Sequence, residues 1–549
     1  MLSLPQLLWI AMIWAIIIAG AWLLAKYLFN VYTGKRSRLD RFLEPVERAI
    51  YRLIGVDPSV QMTGREYFVA VLLFSVFATA LCFAILVLQG YLPFNPQHFT
   101  GMRWDTALNT AVSFSTNTDL QHYAGESTLS YMSQMAAIQF EQFVSAAVGI
   151  CVAVAVFRGF SGRFKGIGNF YYDFVRSITR VLLPMAVIAA LVLVSAGVPQ
   201  TLGGYVTAST IGGGAQTLAV GPVASLVSIM QLGTNGGGYY GANSANPFQN
   251  PTPFTNWLEI ALMLILVTSM PFLFGRMVGN AREGRTLLIA AYVIYGINIA
   301  IAFAGATTLA AGMETGLGAF SSTFWTVTAT STMTGSANAA LSAFNPLVIL
   351  AALFGMFIQA APGGIGVGMV YMLLYVVLTV FIVGLMVGRT PEYLGVKILP
   401  KDIKNAVIGF VAHPILIMVP LALAFSVGAV SATGVGTGPT GFTQVLYEFT
   451  SAAANNGSDF MGVAANTVFF NVSTAVVMWL GRFIGIAVML VIADSMLHRQ
   501  RVAQTGLRTD NLVFVAVLVI SIIILTVLTF FPVLVLGPIL SSLQGLSTI

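Results

Sequence analysis

The chain has 549 residues, 57% of them hydrophobic and only 8% charged, with a mean hydropathy of +0.87. A soluble globular domain carries about 25% charged residues, so a soluble enzyme or binding module is excluded and a polytopic membrane protein remains. The net charge of +6 and pI near 9.3 would suit nucleic acid, but the basic residues are spaced by apolar runs in a pattern that membrane topology explains.

Apolar runs long enough to cross a bilayer, roughly 17–25 residues each, lie near 7–28, 67–90, 132–157, 178–198, 257–278, 286–310, 346–388, 407–430, 467–497 and 512–536. They predict ten spans in an all-α fold, the seventh run being too long for one uninterrupted helix. Basic residues follow every odd-numbered span up to the ninth. Lys26, Lys35, Arg36, Arg38, Arg41, Arg48, Arg52 and Arg65 follow the first; Arg158, Arg163, Lys165, Arg176 and Arg180 the third. Arg276, Arg282 and Arg285 follow the fifth; Arg389, Lys397, Lys401 and Lys404 the seventh; Arg499, Arg501 and Arg508 the ninth. The positive-inside rule places these loops in the cytosol and both termini outside. The first run has its basic cluster behind it, the reverse of a cleavable signal peptide, and is expected to remain as an N-out helix.

After the first span the order helix, short helix, polar hairpin, helix recurs four times. The short helices are expected at Trp104–Phe114, Val220–Met230, Ala319–Ala329 and Phe442–Ser451. Each runs into a hairpin: Thr116-Asn117-Thr118-Asp119, Gly233-Thr234-Asn235-Gly236, Met333-Thr334-Gly335-Ser336 and Asn455-Asn456-Gly457-Ser458. Irregular backbone cannot face lipid with its polar groups unpaired, so four such segments on one side imply a shared, protein-lined polar space. Inward carbonyls replace an ion's hydration shell without the full charge that would trap it. Glycine lets successive carbonyls aim at one axis, Thr, Ser and Asn add side-chain oxygens, and each short helix directs its partially negative C-terminal end at the ion path. The sixteen residues of these hairpins are therefore the expected ion filter. With Asn117, Asn235, Gly335 and Gly457 as markers, the units run 66–160, 161–281, 282–399 and 400–508, flanked by segments 1–65 and 509–549.

Within the seventh run, Gln359-Ala360-Ala361-Pro362-Gly363-Gly364-Ile365-Gly366-Val367-Gly368 breaks the helix. Broken membrane helices occur where backbone lines a cavity, so Gln359, Gly363, Gly364, Gly366 and Gly368 are expected at a gate or tunnel wall, the alternative being a packing kink. Arg482, in the middle of the ninth run, is costly enough in a membrane to mark function. It either blocks the path below the filter or pairs with a carboxylate such as Glu141. Glu141 and Asp494 are further candidates. Cys82 and Cys151 sit in predicted spans and form no disulfide or zinc pattern. His98, His122, His413 and His498 show no metal-ligand spacing, and each is expected to be structural or solvated.

The text Gly233-Thr234-Asn235-Gly236-Gly237-Gly238-Tyr239-Tyr240, continuing Ala242-Asn243-Ser244 to Pro247-Phe248 and Asn250-Pro251-Thr252, closely resembles one family. So do Gly125-Glu126-Ser127-Thr128-Leu129-Ser130-Tyr131, Gly388-Arg389-Thr390-Pro391-Glu392-Tyr393-Leu394-Gly395 and Thr450-Ser451-Ala452-Ala453-Ala454-Asn455-Asn456-Gly457-Ser458. The family is the potassium-binding A subunit of the Kdp-type potassium-transporting ATPase, related to the Trk/Ktr transporters, and the resemblance covers essentially the whole chain. It implies four M1-P-M2 pore repeats and a chain that selects K+ outside a bacterial or archaeal plasma membrane. It also implies transfer to a P-type ATPase B subunit that uses ATP and Mg2+, with a C subunit and a small F subunit completing the complex. The chain has no G-x-x-x-x-G-K-[ST] loop and no Asp followed by Lys, so ATP hydrolysis is expected in the partner alone. The alternative is a stand-alone channel or Trk/Ktr-like ion-coupled transporter. Three departures stand out: Asp119-Leu120-Gln121 where Asn-Trp-Gln is expected, Thr334-Gly335-Ser336 in place of a Cys-Gly-Ala type sequence, and Gln359 where the family often has Glu. Asp119 is expected to concentrate cations at the outer mouth.

Overall fold

The computed structural model describes residues 2–36, 40–305, 308–436, 438–501 and 507–547; Arg38, counted above among the basic residues, lies outside them. Among the described residues ten helices are long and apolar enough to cross a membrane: spans one to ten run Leu4–Tyr32, Gly64–Tyr91, Ser133–Ser161, Phe170–Ser195, Pro253–Val278, Ala281–Ala304, Val367–Met386, Pro400–Ser426, Val468–Leu497 and Leu512–Leu543. Their order and positions follow the hydropathy pattern. Local chemistry fixes several starts. Thr63 and Glu66 form a reciprocal capping box at span two, while Asn280, Thr467 and Asn511 cap spans six, nine and ten through their side chains.

Burial separates central from peripheral spans. The apolar window of span three is 94% buried, whereas that of span one is 17% buried. Span three therefore packs on protein all round, and span one presents most of its surface outward, its remaining stripe (Ile17, Ala21, Ala25, Leu28) resting on span five. Span three reads Ala146-Ala147-Val148-Gly149-Ile150-Cys151-Val152-Ala153, small residues that let neighbouring helices approach closely. Gly149 approaches the Ile365 carbonyl and Gly159 the backbone of Ala493, leaving no space for side chains there.

The four short helices are Trp104–Ser115, Val223–Leu232, Gly318–Ser331 and Pro439–Ala454, each within a few residues of its expected place. The seventh apolar run is divided, as its glycines require, into a helix Pro346–Ile358 and span seven. Two small antiparallel hairpins depart from an all-α reading. Val206–Ser209 pairs with Ala215–Leu218, and Glu392–Tyr393 pairs with Val396–Lys397 around Leu394 and Gly395, both at positive φ. The second is the Glu392-Tyr393-Leu394-Gly395 motif. Its Tyr393 is fully buried, against Phe160, with its hydroxyl donating to Glu283 at 3.3 Å.

At the ends of the spans away from the four hairpins, buried charges are paired. Arg158 donates to both oxygens of Asp173, at 2.6 and 2.8 Å, and Tyr67 adds a bond at 3.1 Å. Arg180 donates to both oxygens of Glu47, at 2.6 and 2.8 Å. Bidentate pairing of this kind is strong and orienting, and it ties the Asp40–Leu53 helix to span four.

Candidate functional site

Each short helix ends in the same turn. The amide of Thr118 donates to the Ser113 carbonyl at 2.9 Å, Asn235 to Met230 at 2.8 Å, Thr334 to Ala329 at 2.8 Å and Asn456 to Ser451 at 2.9 Å. The residue before each of these four is left-handed: Asn117 at φ 61°, Thr234 at 50°, Met333 at 51° and Asn455 at 52°. That shared bond sets the equivalence of the hairpins. It aligns Thr118, Asn235, Thr334 and Asn456, so the sequence markers Asn117 and Asn235 stand one position out of step. The next position holds Asp119, Gly236, Gly335 and Gly457, three glycines and one carboxylate. Thr116 and Thr332 are equivalent too, their hydroxyls bonding Thr118 and Thr334 at 2.8 and 2.7 Å.

Side chains stitch the hairpins into a ring. Asn117 donates to the carbonyls of Gly233 and Thr234 at 3.2 and 2.7 Å, and the Ser336 hydroxyl donates to Gln231 at 3.0 Å. Asn456 donates to the Ala329 carbonyl at 3.1 Å, and Asn455 closes the circle on the Thr118 hydroxyl at 2.9 Å. Ser458 bonds Tyr447 at 2.8 Å, and the Ser336 carbonyl accepts from Trp325 at 2.9 Å. Inside the ring the backbones meet. A methyl on Gly236 would lie 2.7 Å from the Thr118 oxygen and 2.9 Å from that of Asn456. On Gly335 it would strike the Asn456 carbonyl, and on Gly457 the Thr118 carbonyl. All sixteen expected residues are thus brought together, and cross-bonds from Asn117, Ser336, Asn455 and Asn456 tie the neighbouring units to one another.

A cavity of about 390 Å³ lies on one side of the ring, lined by Asp119, Gln121, Gly236, Gly335, Gly457, Ser458 and Asp459 among others. On the other side a narrow space of about 20 Å³ is bounded by Asn117, Met333, Asn455, Gln359, Gly364, Gly368, Tyr371 and Arg482. The broken segment therefore sits directly beneath the hairpins. Its Ile365 amide donates to the Thr234 hydroxyl at 3.0 Å, and its Gly363 amide to the Ser331 carbonyl at 2.9 Å. Gly363 and Gly366 take φ of 79° and 70°, Gly368 packs on Gly363, and Gly366 meets the Gly149 carbonyl. Gln359 is itself left-handed and bonds His413 at 2.6 Å. With Tyr371 it also lines a second small space, toward Leu374, Tyr375, His413 and Phe530.

Arg482 projects into the space beneath the ring and donates to the Ser145 carbonyl at 2.9 Å. Its expected alternative partner is not there: both oxygens of buried Glu141 lack a hydrogen-bond partner, and among the described residues no ion pair joins the two. Asp494 is at the far end of span nine beside His498, away from the ring. Asp119 is fully buried in the cavity wall, where Oδ2 accepts from Gln142 at 3.1 Å. The same Gln142 nitrogen donates to the Gly237 carbonyl at 2.8 Å. Sequence reasoning missed Gln142 and Ser145, which hold the ring from span three. Polar residues facing inward on an otherwise apolar span were the available signal.

The family model described as "Potassium-transporting ATPase A subunit" matches residues 11–543. A "Potassium-transporting ATPase potassium-binding subunit" from Anabaena sp. (strain L31) is 43% identical over 550 residues, covering 97% of this chain and 98% of that one. Proteins of the same description from Geobacillus kaustophilus (strain HTA426) and Pseudomonas aeruginosa (strain PAO1) are 42% and 40% identical. Those alignments cover 96% and 98% of this chain, and 97% and 99% of the relatives. Among solved structures, the potassium transporter TrkH from Vibrio parahaemolyticus superposes with a TM-score of 0.52 at 14% identity, over 89% of this chain and 98% of that one, which shows a common fold. The extent of these matches decides the question: the chain belongs to the potassium-transporting ATPase A subunit family.

Proposed function

We propose that this chain selects and binds K+ at the four-hairpin ring as the non-catalytic subunit of an ATP-driven potassium importer. The observation that carries this reading is the ring itself: four equivalent turns at four short-helix C-termini, cross-bonded so that backbone oxygens converge where no Cβ fits. Such a ring offers carbonyl ligands and helix-end partial charges to a dehydrated cation. The filter comprises Thr116–Asp119, Gly233–Gly236, Met333–Ser336 and Asn455–Ser458, in four units spanning 66–160, 161–281, 282–399 and 400–508. The ring faces outward, since the basic loops lie on the opposite side, and the protein belongs in the plasma membrane with both termini outside.

Beneath the ring, Arg482 opposes a cation moving straight through. Gln359 and Tyr371, shared by the two small spaces, border a lateral way out past the Gly363–Gly368 break. Supporting a lateral exit is the want of any phosphate-binding loop or Asp-Lys pair in the sequence: the energy comes from a P-type ATPase B subunit using ATP and Mg2+, in a complex with C and F subunits. The test is co-purification with that ATPase, followed by a K+-stimulated ATPase assay. Gly236→Asp is expected to abolish K+ stimulation at micromolar K+ and shift ion preference. Unchanged selectivity in that variant refutes the filter assignment, and a complex that never contains an ATPase refutes the coupling.

A further inference from the structure

One cluster beside the ring is not used by the reading above. His122, Glu448 and Asp459 come from the segment after hairpin one, the fourth short helix and the residue after hairpin four. They each bring a ligand atom within 4.8 Å of the other two. The sequence gives no hint of it, because 326 residues separate His122 from Glu448.

The hydrogen-bond network fixes which imidazole nitrogen carries the proton. Asn471 donates through Nδ2 to Asp105 and to Asn466 Oδ1, both at 2.9 Å, and Arg103 holds Asp105 and Asn466 in place. The Asn471 oxygen therefore faces His122 Nδ1 at 2.6 Å, and Nδ1 is the donor. In the neutral ring Nε2 is then a bare lone pair, yet it lies 2.8 Å from Glu448 Oε1, another acceptor. Glu448 is fully buried and its Oε2 has no partner. Asp459 Oδ1 is occupied by the amides of Met461 and Gly462, each at 2.7 Å, and its Oδ2 has none. Three acceptors thus face one another without a donor among them. A second proton on His122 satisfies one contact, and the free oxygens of Glu448 and Asp459 then need a further proton held between them. A divalent cation satisfies all three.

We propose that His122 Nε2, Glu448 and Asp459 form a binding site for a divalent transition-metal cation of the zinc type. One imidazole and two carboxylates are ordinary zinc ligands, at about 2.0–2.2 Å from the ion, whereas Mg2+ and Ca2+ take oxygen alone. The Asn471 contact to Nδ1 is the outer hydrogen bond that metal-binding histidines use to fix their tautomer. Asp459 lines the 390 Å³ cavity, so it has room to swing inward, and the cavity supplies water for the remaining coordination position. The site rests on this geometry and is independent of the potassium reading.

The test uses the full chain in its purified complex, stripped with chelator and titrated with Zn2+ by calorimetry in K+ buffer, with Co2+ absorption as a second probe. A single Zn2+ is expected to bind to wild type and to persist in excess Mg2+. His122→Gln, Glu448→Gln and Asp459→Asn are each expected to weaken it more than tenfold, and Asn471→Ala by about 10–100-fold. Visible Co2+ ligand-field bands are expected in wild type and lost in the ligand variants. Should Glu448→Gln fail to fold, Asp459→Asn at the cavity surface and the Co2+ spectrum decide. Equal Zn2+ binding by wild type and the variants, or wild-type binding no stronger than that of the triple variant, overturns the proposal and leaves a protonated imidazolium–carboxylate pair.

Discussion

Gly457→Ala offers a measurement of how tightly the ring is set, because a second glycine supplies the control. Gly457 has φ of +100° and Gly197, in the loop after span four, has +101°. An alanine at either position pays for a left-handed backbone, about 1–3 kcal/mol. Only at Gly457 does the new methyl also meet something. It strikes the Thr118 carbonyl and lies 3.1 Å from Gly236 Cα, while Gly197 has nothing within 4 Å. Both obstacles are backbone and cannot rotate aside, so the Thr118 oxygen must turn or move. Weakening one oxygen contact to a charged partner costs about 1.5–3 kcal/mol, which is about 10–100-fold in affinity. The K+ concentration for half-maximal ATPase stimulation of the purified complex is expected to rise by that factor in Gly457→Ala and to stay at the wild-type value in Gly197→Ala, although both lose thermal stability, Gly457→Ala the more because its methyl also meets backbone. Wild-type half-saturation in Gly457→Ala, or an equal affinity loss in Gly197→Ala, would show that the Thr118 carbonyl does not contact the ion.

Two further substitutions probe the buried charges. Asp173→Ala leaves the Arg158 guanidinium buried without its bidentate partner, which costs about 3–5 kcal/mol; thermal unfolding of the detergent-solubilised chain should shift down clearly, and an unchanged midpoint would contradict the pairing. Arg482→Gln removes a positive charge from the space beneath the ring, where it repels a cation about 4 Å away by about 1 kcal/mol in water-like surroundings and about 4 kcal/mol at an effective dielectric near 20. Passive K+ leak into proteoliposomes should then rise by about tenfold or more, whereas lost assembly without added leak would mark Arg482 as structural only.

What was legible in the sequence is what hydropathy and breakers write locally. The ten spans, the four short helices and the division of the seventh run, at Gln359–Gly366, depend on residues within one or two turns, and they appear close to where the text put them. What depends on bonds between distant segments was not legible. The register of the four turns follows the shared amide-to-carbonyl bond five residues back, which pairs Thr118 with Asn235 though chemical likeness favoured Asn117. The absence of an Arg482–Glu141 pair follows from where span three and span nine face, and the assembly of His122 with Glu448 and Asp459 follows from hairpins one and four being neighbours in the ring.

Asp119 shows what that register changes. From sequence it is a carboxylate near the outer mouth that gathers cations from solution. In the ring it occupies the position that Gly236, Gly335 and Gly457 fill in the other three turns, left-handed at φ 58° and fully buried. A non-glycine residue in that conformation carries roughly 1–2 kcal/mol of strain, so its side chain must contribute something glycine does not. Through Gln142, which holds Asp119 Oδ2 and the Gly237 carbonyl together, the carboxylate clamps hairpin one to hairpin two. Its other oxygen, Oδ1, has no protein partner and belongs to the wall of the cavity above the ring. That makes hairpin one the least glycine-like of the four turns, the one in which a charged-type side chain as well as the backbone lines the cavity.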